Sequence, residues 1–346
     1  MTLVYILIAI LVFGFLILIH ELGHFLTARL FRVTVKEFSV GMGPKILSKK
    51  SEKTGTSYSL RALPIGGFVA MAGEDDDSED ENALGKKPAW QQFIIMIAGS
   101  AMNILLGVIL TLVLILVTGR LYGTTVTGFA EGASSQQYGL TEGDRIVKVG
   151  KHSTGTVFDL SYTILHDGGK AVDVTVVRNG ETVVLENVSF PTDGSGRVTY
   201  GQRDFYVNEE KFSFFNVIKH TAYRSVTTVR MIWESLIDLV RGKYGLKDMS
   251  GPVGLTKTIG EAAASRDGGQ SLLYLSALIA VNLGVFNLLP FPALDGFRAL
   301  LVVIEGISGR KINREVQGYI NLAGLVLLMI LMIAVTCTDV MSLFKK

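Results

Sequence analysis

His20, Glu21 and His24 stand in the order His-Glu-x-x-His near the start of the chain. On a helix, residues four apart share a face, so both imidazoles can reach one metal ion. Glu21 between them is then placed to act as a general base toward a water held by that ion. Zinc suits such a site, because it accepts imidazole nitrogen and works in a tetrahedral shell with one open position. It also makes a bound water acidic near neutral pH. The alternative is a solvated helix end with two ordinary histidines. The setting counts against it, because residues 3–19 just before the motif are apolar and free of charge. Ionisable groups at membrane depth are costly unless they have partners, and a metal ion would supply one.

Two histidines leave a catalytic zinc one protein ligand short. Asp295 is the candidate, in the stretch Asn287-Leu-Leu-Pro-Phe-Pro-Ala-Leu-Asp-Gly296. Pro290 and Pro292 preclude a regular helix here. Irregular backbone at membrane depth is tolerated only where protein buries it or water wets it. A broken apolar segment carrying an acid therefore points to a site, and a role for Asp295 as a helix cap is compatible with that. Asn287 can donate to a substrate carbonyl or a developing oxyanion; a plain helix–helix hydrogen bond is the equal alternative. Gly99, Ser100 and Asn103 read as small residues for tight helix packing. For Asn103, a place in a wet cavity with substrate contact stays equally open.

The elements that must carry these residues are largely membrane-spanning. Hydrophobic residues make up 49% of the 346 and charged residues only 18%, against roughly a quarter in average proteins. The net charge of +2 gives no reason to expect a nucleic-acid partner, and the single Cys337 excludes an internal disulfide framework. The first run lacks a basic leader and a small-residue cleavage site, so it reads as a retained transmembrane helix over 1–30. A second helix is expected over 91–118, a third, broken segment over 271–307 with Asp295, and a fourth helix over 316–340. Lys and Arg concentrate in 31–90 and in the short loop at 310–314, which the positive-inside rule makes cytoplasmic. The segment from Arg120 to about Gln270 then lies outside the cytoplasm.

That outer segment opens with soluble-looking sequence. Residues 171–178 and 181–188 read as strands joined by Asn179-Gly180, a two-residue hairpin signal. Ahead of them, Gly139-Leu-Thr-Glu-Gly-Asp-Arg-Ile146 looks like the signature of bacterial PDZ domains, placing such an α+β domain at 122–194. Residues 195–270 form a linker with an amphipathic helix at 212–240. That helix either packs on the PDZ-like domain or lies on the membrane surface. The acidic run 74–81 reads as a solvated cytoplasmic loop, and His152, His166 and His220 show no ligand spacing.

Together these motifs resemble the site-2 proteases, in the bacterial regulator-of-sigma-E form with a single PDZ domain. The likeness extends to Leu63-Pro-Ile-Gly-Gly-Phe-Val69, Lys87-Pro-Ala-Trp-Gln-Gln92, Gly99-x-x-x-Asn103 and Ser250-Gly-Pro-Val253. Met42 and Ser100 stand where the family often has an aromatic residue and a proline. The resemblance implies one zinc ion held by His20, His24 and Asp295, with Glu21 as base. It implies a membrane re-entrant β-hairpin at about 58–71, whose Gly66, Gly67 and Phe68 would face an unwound substrate strand. It also implies a multi-pass protein of the bacterial cell membrane with its active site toward the cytoplasm. The substrates would be single-pass membrane proteins such as anti-sigma factors and remnant signal peptides, cut after an upstream protease has removed their external part. A PDZ-bearing scaffold and a prenyl-protein endopeptidase with a glutamate third ligand are the rivals.

Overall fold

The computed structural model describes residues 2–74, 78–193, 199–245 and 248–344. In chain order its elements are α1 (Thr2–Leu30), β1 (Val35–Lys50), β2 (Ser57–Met71), a short 3-10 turn (Leu84–Lys86) and α2 (Ala89–Thr118). Next come β3 (Leu121–Phe129), α3 (Ser134–Gln137), β4 (Arg145–Val149), β5 (His152–Ser153) and α4 (Val157–Asp167). β6 (Val172–Arg178), β7 (Glu181–Val188), β8 (Thr192–Asp193), β9 (Tyr200–Gly201) and β10 (Phe205–Glu210) follow. The chain ends with α5 (Phe214–Val240), α6 (Pro252–Ala264), α7 (Gly268–Asn287), α8 (Asp295–Ser308) and α9 (Arg314–Phe344). Two compact units result, 1–107 with 246–346, and 108–245.

Four helices carry apolar spans, Val4–Leu30, Ala89–Thr118, Gly268–Asn287 and Arg314–Met341, each long enough to cross a bilayer, and α2 runs from the first unit into the second. The third is shorter than the 271–307 expected. α7 stops at Asn287, the proline-containing stretch breaks the backbone, and α8 begins a separate helix at Asp295. Small residues set the helix spacing. A Cβ on Gly23 would lie 2.4 Å from the Ala98 carbonyl oxygen of α2, so α1 and α2 approach at backbone distance.

β1 and β2 depart from expectation. Residues 58–71 do not form a hairpin by themselves; they belong to one bent strand that pairs with β1 throughout. The turn of the hairpin lies at 51–56, closed by Ser51 N–H donating to the Thr56 carbonyl. Both strands then fold over at Gly41, Gly43 and Gly66, all at positive φ, where only glycine is free of strain. Residues 35–40 consequently sit between two stretches of β2: Phe38 faces Tyr58 on one side and Val69 on the other. Residues 67–71 form an outer edge of this small sheet, with no further strand paired to them among the described residues.

The second unit is a sheet ordered β10-β3-β4-β6-β7, with β5 beside β4, over a core that includes Ile146, Leu160, Ile164, Val174 and Val176. The Asn179-Gly180 turn is as expected, with both residues at positive φ and Arg178 facing Glu181. Thr156 and Asp159 form a capping box that starts α4. The sheet extends past 194. β10 pairs with β3 and buries Phe205, because Phe205 and Val207 alternate with polar neighbours and complete the core.

Candidate metal centre

α1 brings His20 and His24 to one face, and the first turn of α8 brings Asp295 opposite them. His20 Nε2 lies 3.0 Å from Asp295 Oδ2, and His24 Nε2 lies 3.2 Å from the same oxygen. The two Nε2 atoms are 3.2 Å apart. Ligands at zinc–nitrogen distances in a tetrahedron stand about 3.3 Å from one another, so this triangle has the size of one tetrahedral face. His20, His24 and Asp295 are also the one acidic, histidine or cysteine trio of ligand size found among the described residues.

The tautomer of His24 follows from its neighbour. Its Nδ1 lies 2.8 Å from the Ile95 carbonyl, which can only accept, so Nδ1 carries the proton and Nε2 keeps a lone pair for the metal. His20 Nδ1 sits 3.4 Å from Asn103 Nδ2, while the Asn103 Oδ1 has no partner although the residue is 0% exposed. A half-turn of that amide points the oxygen at His20, which then donates from Nδ1 and likewise frees Nε2. The donor set of two imidazole nitrogens and a carboxylate oxygen therefore fits a zinc ion.

Glu21 lines the same cavity, of about 430 Å³, with Phe68, Val69 and Met71 from β2. Successive strand residues point to opposite faces, yet Phe68 and Val69 both border the cavity. The strand thus meets the site with its edge. Gly67 lets that edge close in: a Cβ there would sit 2.7 Å from the Ser39 carbonyl oxygen and 3.4 Å from Glu21 Cγ.

Asp295 is held by the broken segment. Gly296 is required because a Cβ would lie 2.2 Å from the Leu288 carbonyl oxygen. Ala293 adopts a φ of 77°, and its N–H donates to Asn321 Oδ1 of α9 at 3.2 Å. A left-handed alanine costs about 1 kcal/mol and persists where surroundings dictate it. Asp295 is the first residue of α8 with Leu294 as its cap, so the carboxylate also faces the positive end of that helix.

Not every expected site residue is on the cavity. Asn287 ends α7, half-buried, and is not among the residues that line it, and Gly66 serves the strand bend beside Met42. Gly99, read as a packing residue, lies against the candidate ligands: a Cβ there would lie 2.3 Å from His24 Nε2 and 2.8 Å from His20 Nε2. Glu74, read as part of a solvated loop, is tucked under the site. It is ion-paired with Arg298 of α8, and both line the cavity. Asp75, Asp76 and Asp77 lie outside the described residues. Glu74, Met96, Arg298 and Asn321 also border a second, polar cavity of about 660 Å³, so the site adjoins space that water can fill. An arginine in an apolar helix three residues after Asp295 was the one sequence sign of this pair.

Comparison with known proteins agrees with the geometry. The model of Peptidase family M50 matches residues 8–331. A Clostridium acetobutylicum protein, named as a candidate zinc metalloprotease, is 38% identical over 97% of both chains. Regulator of sigma-W protease RasP of Bacillus subtilis is 29% identical over 97% of this chain and 98% of its own. Zinc metalloprotease RasP of Bacillus licheniformis matches to the same extent. With its ligand trio on two apolar segments and the family match along nearly its whole length, the chain belongs to peptidase family M50, the site-2 proteases.

Proposed function

We propose that this protein is an intramembrane zinc metalloprotease that hydrolyses peptide bonds within or beside the transmembrane segments of other membrane proteins. The carrying observation is the triangle of His20, His24 and Asp295 beside Glu21, open toward a strand edge. Zinc held by the three side chains would supply Lewis acidity toward a water and the scissile carbonyl. Glu21 would take up a proton on its carboxylate and deliver it to the leaving nitrogen. His24 is oriented by Ile95 and His20 by Asn103 throughout.

A peptide bond inside a transmembrane helix is protected by its own hydrogen bonds, and freeing them in lipid is costly without new partners. Residues 67–71 offer those partners by strand addition. The substrate class is single-pass membrane proteins, such as anti-sigma factors and signal-peptide remnants, in line with the sigma-W role in one relative's name. The sheet unit with α4, read as PDZ-like from the sequence of residues 139–146, would limit which trimmed substrates approach. The charge bias of the loops supports a site toward the cytoplasm, with residues 122–194 outside it.

Proline at Phe68, Val69 or Ala70 removes one backbone donor from the edge. Cleavage of a model transmembrane substrate should fall about tenfold wherever the removed N–H points outward, the effect of about one hydrogen bond. Zinc content should not change. Unchanged cleavage by all three zinc-replete variants rules out strand addition.

The orienting role of Asn103 gives a second expectation. Asn103→Ala should weaken zinc binding by about 10- to 100-fold in competition with a chelator, the usual range for an outer partner of a ligand. Asn103→Asp, which still accepts from His20, should stay close to the parent. Equal loss in both would mean that Asn103 only fills space.

A further inference from the structure

α5 is built with its polarity reversed. Phe215, Ile218, Ala222, Val226, Trp233 and Val240 recur at helical spacing along its 27 residues, and all are exposed, Phe215 at 82% and Val240 at 88%. No charged residue interrupts this stripe. The inward face is mostly polar, with His220, Thr221, Ser225, Thr227, Thr228 and Asp238 buried beside Val217 and Ile232. A surface helix in water shows the opposite pattern. Single exposed apolar residues are ordinary, but an unbroken stripe along a whole helix marks an interaction surface.

The charges of α5 are engaged elsewhere. Lys219 and His220 bind Glu210 at 2.9 and 3.0 Å. Burial acts to raise the Glu210 carboxyl, and the hydrogen bonds from Lys219 and His220 outweigh it, holding the group below its ordinary range. Arg230 donates to Thr163 Oγ1 at 2.6 Å and lies over the Tyr162 ring, and Tyr162 donates to Glu234 at 2.6 Å. Arg224 lies over Phe158. These charged side chains are turned inward or to the flank and engaged there, which leaves the outer stripe bare of charge.

The position of the first turn says what covers that face. Val217 packs against Ile115 and Leu121, where the apolar span of α2 ends and β3 begins. Phe214, Phe215 and Ile218 flank Val217 and are exposed, so the aromatic end of the stripe starts at the level where a membrane helix leaves the bilayer. Aromatic and aliphatic residues with a tryptophan, free of charge, are what the interfacial zone of a bilayer accepts. We propose that the outer face of α5 lies in the lipid headgroup–acyl boundary and anchors the sheet unit to the membrane surface. This reading is independent of the catalytic one.

Trp233 reports on it directly. The chain has two tryptophans, and Trp90→Phe leaves Trp233 as the single indole while keeping an aromatic ring beside Phe31. The full-length protein goes into vesicles of phosphatidylcholine and phosphatidylglycerol carrying bromine near the headgroup. Trp233 emission should drop about twofold there, with little quenching by aqueous acrylamide. Quenching by acrylamide without bromolipid quenching would overturn the proposal, placing the stripe in water. Quenching by neither would overturn it in favour of a protein cover, such as a second copy of the chain. Should the Trp90 variant fail to fold, a spin label at Val226→Cys, with Cys337→Ser, gives the same decision. Oxygen accessibility above that of a water-soluble nickel complex supports the lipid contact, and the reverse order overturns it.

Discussion

Glu21→Gln should abolish cleavage of a model transmembrane substrate while zinc remains stoichiometric. The amide keeps the size and hydrogen-bonding reach of the carboxylate but cannot take up a proton. Loss of a positioned base typically costs about 10²- to 10⁴-fold, enough to drop turnover below background in a gel assay. Zinc should stay because the ligand triangle is made by His20, His24 and Asp295, with Glu21 contributing no atom to it. The measurement is metal content and single-turnover cleavage on the same preparations. Zinc loss in Glu21→Gln would move Glu21 into the coordination shell and remove the base from the scheme. Cleavage at the parental rate would assign the proton transfer to another group. A scaffold with a structural zinc would show zinc in both proteins and cleavage in neither.

What could be read from the sequence follows the range of the interactions concerned. His20, Glu21 and His24 lie within one helical turn, so their juxtaposition is dictated locally by helix geometry. Asp295 was accessible because an acid after two prolines in an apolar run needs protein or water around it. The Glu74–Arg298 pair was not, since its members are 224 residues apart and Arg298 in its apolar helix calls for a partner without saying which. The fold-over of β1 and β2 escaped for another reason. Residues 35–50 have no alternating pattern, and the doubled pairing depends on three glycines that mark bends without saying what they bring together. α5 shows the same limit. Its periodicity gave a helix but not which face was inward, and the structure buries the polar one.

Gly99→Ala should empty the metal site without unfolding the helices, and the contrast with Gly23→Ala makes this decisive. Both glycines lie where α1 and α2 cross, and in sequence both are small residues in apolar helices. What an added methyl group meets differs. At Gly23 it would run into the Ala98 carbonyl at 2.4 Å, and a backbone cannot yield unless the helices separate. At Gly99 the three atoms nearest to it would be imidazole atoms of His24 and His20, at 2.3 and 2.8 Å, and rings can swing aside within their rotamers. The structure is thereby spared and the ligand geometry is not, because displaced Nε2 atoms no longer form a tetrahedral face with Asp295. Gly99→Ala should therefore purify in parental yield and unfold at about the parental temperature of the zinc-free protein. Its zinc affinity should be lower by at least about 100-fold, the upper range seen when an outer partner of a ligand is lost. Gly23→Ala should instead lose thermal stability even in the zinc-free state. Zinc retained at parental affinity in Gly99→Ala would mean that the rings do not occupy this position when the ion is bound, and the packing of Gly99 against the ligands would have to be redrawn.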